Sequence, residues 1–94
     1  MPLEVVWSAL ARRRLQEIRD YVALDKPQAA ARLATRLVAI TELLPANPHL
    51  GRPGAHSGVR ELVVPDTPYI LIYRLQKRRI VISTIVHGAQ RRRR

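Results

Sequence analysis

Residues 59–87, VRELVVPDTPYILIYRLQKRRIVISTIVH, decide the fold, because they read as three consecutive β-strands. Residues 59–64, 69–75 and 80–86 are rich in Val, Ile, Tyr and Thr, which favour strands. The polar segments 65–68 and 76–79 lie between them and predict tight turns. Apolar residues occupy nearly every strand position, so we expect an antiparallel meander with both faces at least partly covered.

The chain before this meander begins with a short strand and an amphipathic helix. Residues 3–7 are mostly apolar and predict an edge strand, and Ser8 after them suits a helix N-cap. From Ala9 the spacing becomes helical. Its apolar positions recur at i, i+4, i+7 and i+11, and they are Ala11, Leu15, Ile18 and Val22. This pattern predicts one buried stripe.

A second helix follows after a short break. Asp25 is its expected cap and Pro27 its first turn, and the helix is predicted to run from about residue 28 to residue 44. Its buried stripe is Ala30, Leu33, Leu37, Ile40 and Leu44. Because the turn between the helices is short, we expect an antiparallel helical hairpin that covers one face of the sheet. The sequence therefore predicts an α+β fold, with the element order β-α-α-β-β-β.

Size and composition exclude several classes of protein. Ninety-four residues form one domain, and no apolar run is long enough to span a membrane, so we expect a cytoplasmic protein with no membrane partner. There is no cysteine, and His49, His56 and His87 lack the spacing of metal ligands. No glycine-rich phosphate loop or nucleophile elbow occurs. We therefore expect neither a metal nor a cofactor.

The charge is large and unevenly distributed. The formal net charge is +10, and residues 1–46 carry seven basic and five acidic side chains, whereas residues 47–94 carry ten and two. A polyanion or an acidic protein should therefore meet the sheet half of the chain. Four of these cations form the C-terminal run 91–94, which we expect to be a flexible tail. The loop 45–58, with three prolines and three glycines, has the length of many functional loops.

The candidate partner-binding residues are three arginines, one tyrosine and one histidine in the predicted strands and the long loop. They are Arg52, Arg60, Tyr73, Arg74 and His87. If they lie together on the uncovered face of the sheet, they could bind a phosphodiester. In that case Arg60, Arg74 and His87 would form the catalytic set of a metal-independent ribonuclease. In the alternative interpretation Arg60 pairs with a carboxylate, Tyr73 packs in the core and His87 ends a strand. Glu61, a possible second proton-transfer group, should point away from Arg60.

The chain also resembles the RelE/ParE toxin superfamily over nearly its whole length. The motifs that carry the resemblance are W-S-x-x-A at 7–11, L-x-x-I-x-x-Y-V at 15–22, D-K-P-x-A-A at 25–30, L-x-x-x-P-x-x-G-R-P-G at 44–54, G-V-R-E-L at 58–62, P-Y-I-L-I-Y-R at 68–74 and I-x-x-I-V-H-G-A at 82–89. The resemblance implies the toxin of a type II toxin–antitoxin pair, which arrests growth and stabilises plasmids. It also implies a cognate antitoxin that wraps the toxin and brings it to operator DNA.

Two activities compete within that superfamily. ParE-like members inhibit DNA gyrase without a catalytic set, whereas RelE-like members cleave mRNA on the ribosome with basic residues and a Tyr or His near the C-terminus. Arg60 and His87 match the second pattern, yet the loop before Gly58 has no lysine and no tyrosine follows His87. The resemblance thus favours a gyrase inhibitor. A ribosome-dependent mRNA endonuclease and a plain nucleic-acid-binding module remain the alternatives.

Overall fold

The computed structural model describes residues 3–91 as a helical hairpin packed on a five-stranded sheet. The elements are β1 Glu4–Trp7, α1 Ala9–Ala23, α2 Pro27–Thr41, β2 Arg52–Pro53, β3 Val59–Val63, β4 Tyr69–Leu75, β5 Arg79–His87 and α3 Gly88–Arg91. The strand order is β1-β5-β4-β3-β2, with β1 parallel to β5 and the other pairs antiparallel. The predicted α+β fold and its element order are confirmed, and the short elements β2 and α3 are additions to it.

The first helix begins where the sequence places it. The Ser8 hydroxyl accepts a hydrogen bond from the Ala11 N–H at 3.0 Å, which satisfies one of the free donors of the first turn. The same hydroxyl donates to the Ser83 carbonyl on β5 at 2.9 Å. Ser8 therefore caps α1 and also ties it to the sheet.

Two expectations for the second helix were wrong. Lys26, not Asp25, is the N-cap of α2, because its carbonyl accepts the first intrahelical bond, from the Ala30 N–H. Its ammonium group has donors but no acceptor, so it makes no side-chain cap bond. The helix ends at Thr41, three residues before the predicted end. The N–H groups of residues 42–44 bond to carbonyls three residues back, so the last turn tightens out of α geometry. Leu44 is nevertheless fully buried, as its place in the stripe predicts.

The core lies between the helical hairpin and one side of the sheet, which we call the inner face. Residues opposite each other in register share a face, so Leu62, Leu71 and Ile85 lie together on it, as do Tyr73 and Ile82. All five are less than a tenth exposed, and they pack with Leu37 and Leu44 of the hairpin segment. The predicted cover of one face by the helices is confirmed.

The other side of the sheet, the open face, carries the alternate residues of the same strands. Its members on β3, β4 and β5 are Val59, Glu61, Val63, Ile70, Ile72, Arg74, Arg79, Val81, Thr84 and Val86. Val63 is 52% exposed, whereas Glu61 and Ile70 are only 6% and 7% exposed. The open face is therefore apolar at its centre and partly exposed, with one buried carboxylate and with Arg74 and Arg79 toward one end.

An irregularity in β5 decides which of its C-terminal residues face the helices. The register shifts by one residue opposite Ile72 and Tyr73, so that β5 holds one extra residue there. As a result Ile85 and His87, and not Thr84 and Val86, continue the inner face begun by Ile82. Ile85 is 3% exposed, in agreement with this assignment.

Two further predictions concern membrane-spanning helices and the C-terminal tail. Between residues 3 and 91, no helix has the length and apolar character that crossing a bilayer requires. The predicted mobile tail 91–94 lies outside the described residues, except for the backbone of Arg91, which ends α3.

Replacing Ser8 by Ala tests the cap. The variant loses the N-cap bond and the bond to the Ser83 carbonyl, so we expect its free energy of unfolding to fall by about 1–2 kcal/mol in urea titrations. Ser57→Ala, in an exposed loop, is the matched control and should change stability by less than about 0.5 kcal/mol. Equal effects of the two changes would show that the cap contributes nothing.

Candidate functional site

Tyr73 holds the long loop between α2 and β3 against the inner face. Its side chain is 0% exposed, and its hydroxyl donates to the Pro48 carbonyl and accepts from the Gly51 N–H, both at 2.8 Å. Arg60, opposite Tyr73 in register, donates through Nη1 to the Gly51 carbonyl at 2.6 Å. Two predicted site residues are thus used to fix residues 48–51.

Gly51 is the loop residue that both Tyr73 and Arg60 contact. A Cβ added there would lie 2.8 Å from the Glu61 carbonyl oxygen and 2.8 Å from the Tyr73 ring, closer than side chains normally approach. Glycine is therefore required by close packing, and its two backbone groups are taken by Tyr73 and Arg60. Sequence reasoning noted the G-R-P-G motif but missed this anchor, because only the fold brings Gly51 onto the strands.

The environment of Tyr73 affects its titration. Burial raises the pKa of Tyr73 above 10.0, and the Gly51 hydrogen bond and the Arg60 charge oppose this increase. A raised pKa in the folded state means that the stability due to the neutral phenol is present below pH 10 and is lost as the pH rises through the folded-state pKa. Tyr73 is thus neutral at physiological pH and acts as a hydrogen-bonding group.

Arg52 and Arg74 lie on the opposite side of the sheet from Tyr73. Arg52, on β2, pairs with Glu61 at 3.4 Å, and its side chain is well exposed while that of Glu61 is buried. Arg74 is exposed and alternates with Tyr73 along β4, so it projects from the open face. The expectation that Glu61 points away from Arg60 is confirmed by the same register.

His87 lies at the far end of the inner face. It is opposite Tyr69, and the two rings meet edge to face with centroids 5.6 Å apart. Nδ1 of His87 accepts from the Ala89 N–H at 3.1 Å, which leaves Nε2 as the nitrogen available to another group. A cleft of about 350 Å³ adjoins this pair, and Arg14, Glu17 and Tyr21 of α1 line its other side.

The five predicted residues therefore do not converge on one face. Arg60 and Tyr73 lie on the inner face beside the loop, and Arg52 and Arg74 lie on the open face. His87 is four strand residues away from Tyr73, about 13 Å along β4. A proton donor and acceptor must reach the same reacting group, which this arrangement does not provide. Within the described chain, no three His, Asp or Glu side chains are grouped to hold a metal ion.

Comparison with known families extends the resemblance seen in the sequence. Residues 5–92 match the family model described as the ParE toxin of the type II toxin–antitoxin system parDE. The chain belongs to the ParE toxin family. Because the match spans nearly all of the chain, it includes both the helical hairpin and the sheet.

Two similar proteins and one similar structure are toxins or a toxin–antitoxin system. The chain is 43% identical to the putative toxin Y4kP of Sinorhizobium fredii, over 89% of this chain and 86% of that protein. It is 38% identical to toxin RelE2 of Caulobacter vibrioides, over 93% of this chain and 97% of that protein. The fold is also similar to a structure of the chromosomal ParDE toxin–antitoxin system of P. aeruginosa, with a TM-score of 0.83, 26% identity and coverage of 90% and 95%.

The hydroxyl of Tyr73 can be removed without changing the packing of its ring. Tyr73→Phe leaves the Gly51 N–H and the Pro48 carbonyl without their partner, so we expect a loss of about 1–3 kcal/mol in the free energy of unfolding and faster amide exchange at Gly51. Tyr21→Phe is the control, since Tyr21 is 73% exposed, and it should have little effect. Unchanged exchange at Gly51 in the Tyr73 variant would refute the anchoring role.

Proposed function

We propose that this ParE-family toxin inhibits DNA gyrase by binding it, stabilises cleaved DNA and does no chemistry of its own. The observation that carries the proposal is the separation of Arg60, Arg74 and His87, the set that a ribonuclease would need. Arg60 and Arg74 project from opposite faces, and His87 lies at the other end of the sheet. Binding requires only an exposed surface, which the chain has.

The hydrogen bonds of Arg60 add to this argument. A catalytic arginine must place its guanidinium on a phosphate, whereas Arg60 is half-buried and bonded to the Gly51 carbonyl at 2.6 Å. Freeing it would leave that carbonyl without its charged donor, at a cost of about 1–3 kcal/mol. Arg60 is thus better suited to holding the loop than to holding RNA.

Ribosome-dependent cleavage of mRNA stays the second candidate. It is favoured by His87, which lines the cleft and whose Nδ1 is bonded to the Ala89 N–H, and by the similarity to toxin RelE2. In that mechanism His87 would transfer a proton with Arg60 and Arg74 as phosphate ligands, and the sheet would have to rearrange to bring them together.

A gyrase supercoiling reaction separates these two functions. We expect the purified toxin to inhibit supercoiling and to accumulate cleaved plasmid, and His87→Gln to inhibit within about twofold of the wild type, because His87 would have no chemical role. In a coupled translation reaction, neither protein should cut mRNA. If supercoiling continues at stoichiometric toxin while translated mRNA is cut in a His87-dependent manner, the ribonuclease function is correct.

The partner that the family implies is a cognate antitoxin, and we propose that it occupies the open face. Val63, Ile72, Val81 and Val86 give this face a partly exposed apolar centre, and Arg52, Arg74 and Arg79 add positive charge. An amphipathic segment with acidic residues would complement both features. Operator DNA would then be reached through the antitoxin.

A charged residue placed on the open face tests this position. Val63→Glu should weaken binding of the antitoxin by at least about tenfold, or about 1.4 kcal/mol, because it buries a carboxylate in the apolar centre. Leu24→Glu makes the same change in charge at an 85%-exposed residue after α1, and should leave the affinity within about twofold. Titration calorimetry with the product of an adjacent acidic reading frame measures both, and a larger loss in the Leu24 variant would place the antitoxin on the helices.

A further inference from the structure

Four cations crowd the turn between β4 and β5, at the end of the sheet where β3 begins. We call this set, Arg74, Lys77, Arg78 and Arg79, the basic end. All four are exposed. Among the ion pairs formed by residues 3–91, none includes a member of the basic end. The four charges are therefore not neutralised by the described part of the chain.

The strand register fixes how these cations are arranged. Arg74 is opposite Val81, and the Gln76 N–H bonds to the Arg79 carbonyl, so Arg74 and Arg79 lie on the open face. Lys77 and Arg78 form the turn itself. The acidic residue in register with this end is Glu4, opposite Arg79 on β1. Asp66 follows β3 at the opposite end of the sheet, where it pairs with Arg36.

The chemistry of the basic end suits a phosphate backbone and not exposed bases. Base stacking needs an accessible aromatic ring, and the chain has one tryptophan, three tyrosines and no phenylalanine. Tyr73 is buried, and Tyr21 and Tyr69 line the cleft at the other end of the sheet. Trp7 is packed against the core cluster. Cations without a stacking surface neutralise phosphates but do not read single-stranded sequence.

We propose that the basic end binds the phosphate backbone of duplex DNA without reading its sequence. The proposal rests on the gyrase hypothesis for the source of the DNA. Gyrase holds duplex DNA, so a toxin bound to gyrase would have a duplex phosphate backbone within reach. An acidic polypeptide is the competing ligand. It would need apolar contacts as well as charge, and of the apolar residues of the open face only Val59 and Val81 lie opposite a member of the basic end. Val63 and Val86 lie further along the strands.

Duplex binding by the full-length toxin tests the proposal. The probe is a fluorescent DNA duplex of about 20 base pairs, and anisotropy gives its affinity from about 50 to 200 mM salt. The test variant carries Arg74→Gln, Lys77→Gln, Arg78→Gln and Arg79→Gln. The control carries Arg12→Gln, Arg13→Gln, Arg19→Gln and Arg32→Gln, which removes four exposed cations from the helices and leaves the same net charge.

We expect the test variant to lose at least about tenfold in affinity. Its slope of log affinity against log salt should become shallower by up to about 3.6, since each of the four phosphate contacts contributes about 0.9. The control variant should keep most of the wild-type affinity and most of its salt dependence. Thermal unfolding should confirm that both variants are folded. Equal losses in the two variants would mean that total charge, and not the basic end, binds DNA, and would overturn the proposal. Tighter binding of a glutamate-rich peptide of matched charge would overturn it in favour of an acidic polypeptide.

The gyrase hypothesis can be rejected independently of the DNA-binding proposal. If the wild-type toxin does not inhibit supercoiling but binds duplex DNA through the basic end, gyrase is rejected as the target and the DNA-binding surface is retained. Inhibition of gyrase by a wild-type toxin that binds no duplex would reject only the DNA surface.

Discussion

The packing of the helical hairpin on one face of the sheet is the contact on which the rest of the structure depends. Leu37 and Leu44 belong to the same buried cluster as Leu71 and Ile82, and each buried side chain of this size contributes about 1.5–3 kcal/mol through removal from water. Strand side chains alternate between faces, so fixing which residues turn toward the helices also fixes which turn away. The separation of Tyr73 from Arg74 follows directly, and so does the position of Arg74 and Arg79 on the open face.

The same packing layer ends at the loop that Tyr73 holds. Between α2 and β2 the loop makes only local backbone hydrogen bonds, so its position against the sheet depends on a few side-chain contacts. The Tyr73 hydroxyl supplies two of them and Arg60 a third, all within residues 48–51. Buried polar groups that are fully paired specify one arrangement, because any other leaves a donor or acceptor without a partner. The loop is thus part of the inner face and not an independent flap.

Local pattern in the sequence was sufficient for most elements of the fold. The helical stripes predicted both helices, and the Val- and Ile-rich runs predicted four of the five strands, because each pattern reflects burial along a whole element. The two-residue strand β2 could not be predicted, since it exists only through pairing with Arg60 and Glu61 on β3. The predicted cap at Asp25 was wrong by one residue, because the first intrahelical bond of α2 is accepted by the Lys26 carbonyl.

The candidate site was harder to predict than the fold, because it depends on register. Residues of β5 are apolar at almost every position, so alternation alone would place Ile82, Thr84 and Val86 on one face. The extra residue of β5 instead places Ile85 and His87 there. One residue of shift exchanges every side chain beyond it between faces, and the sequence has no glycine or proline in β5 to mark it. The sequence could name the cations but not which of them lie together.

Strand geometry is the physical basis of the proposal that this toxin acts by binding. A strand extends about 3.3 Å per residue, and the hydrogen bonds to both neighbours of β4 prevent it from shortening. Arg60 and His87 therefore stay separated by several residues of sheet, unless the core between them is broken. Phosphate neutralisation has no such requirement, because each cation acts on its own contact and the contributions add along a backbone. Exposed arginines at one end of a rigid sheet, and partly exposed apolar residues along the same face, are thus the features on which both proposed binding functions rest.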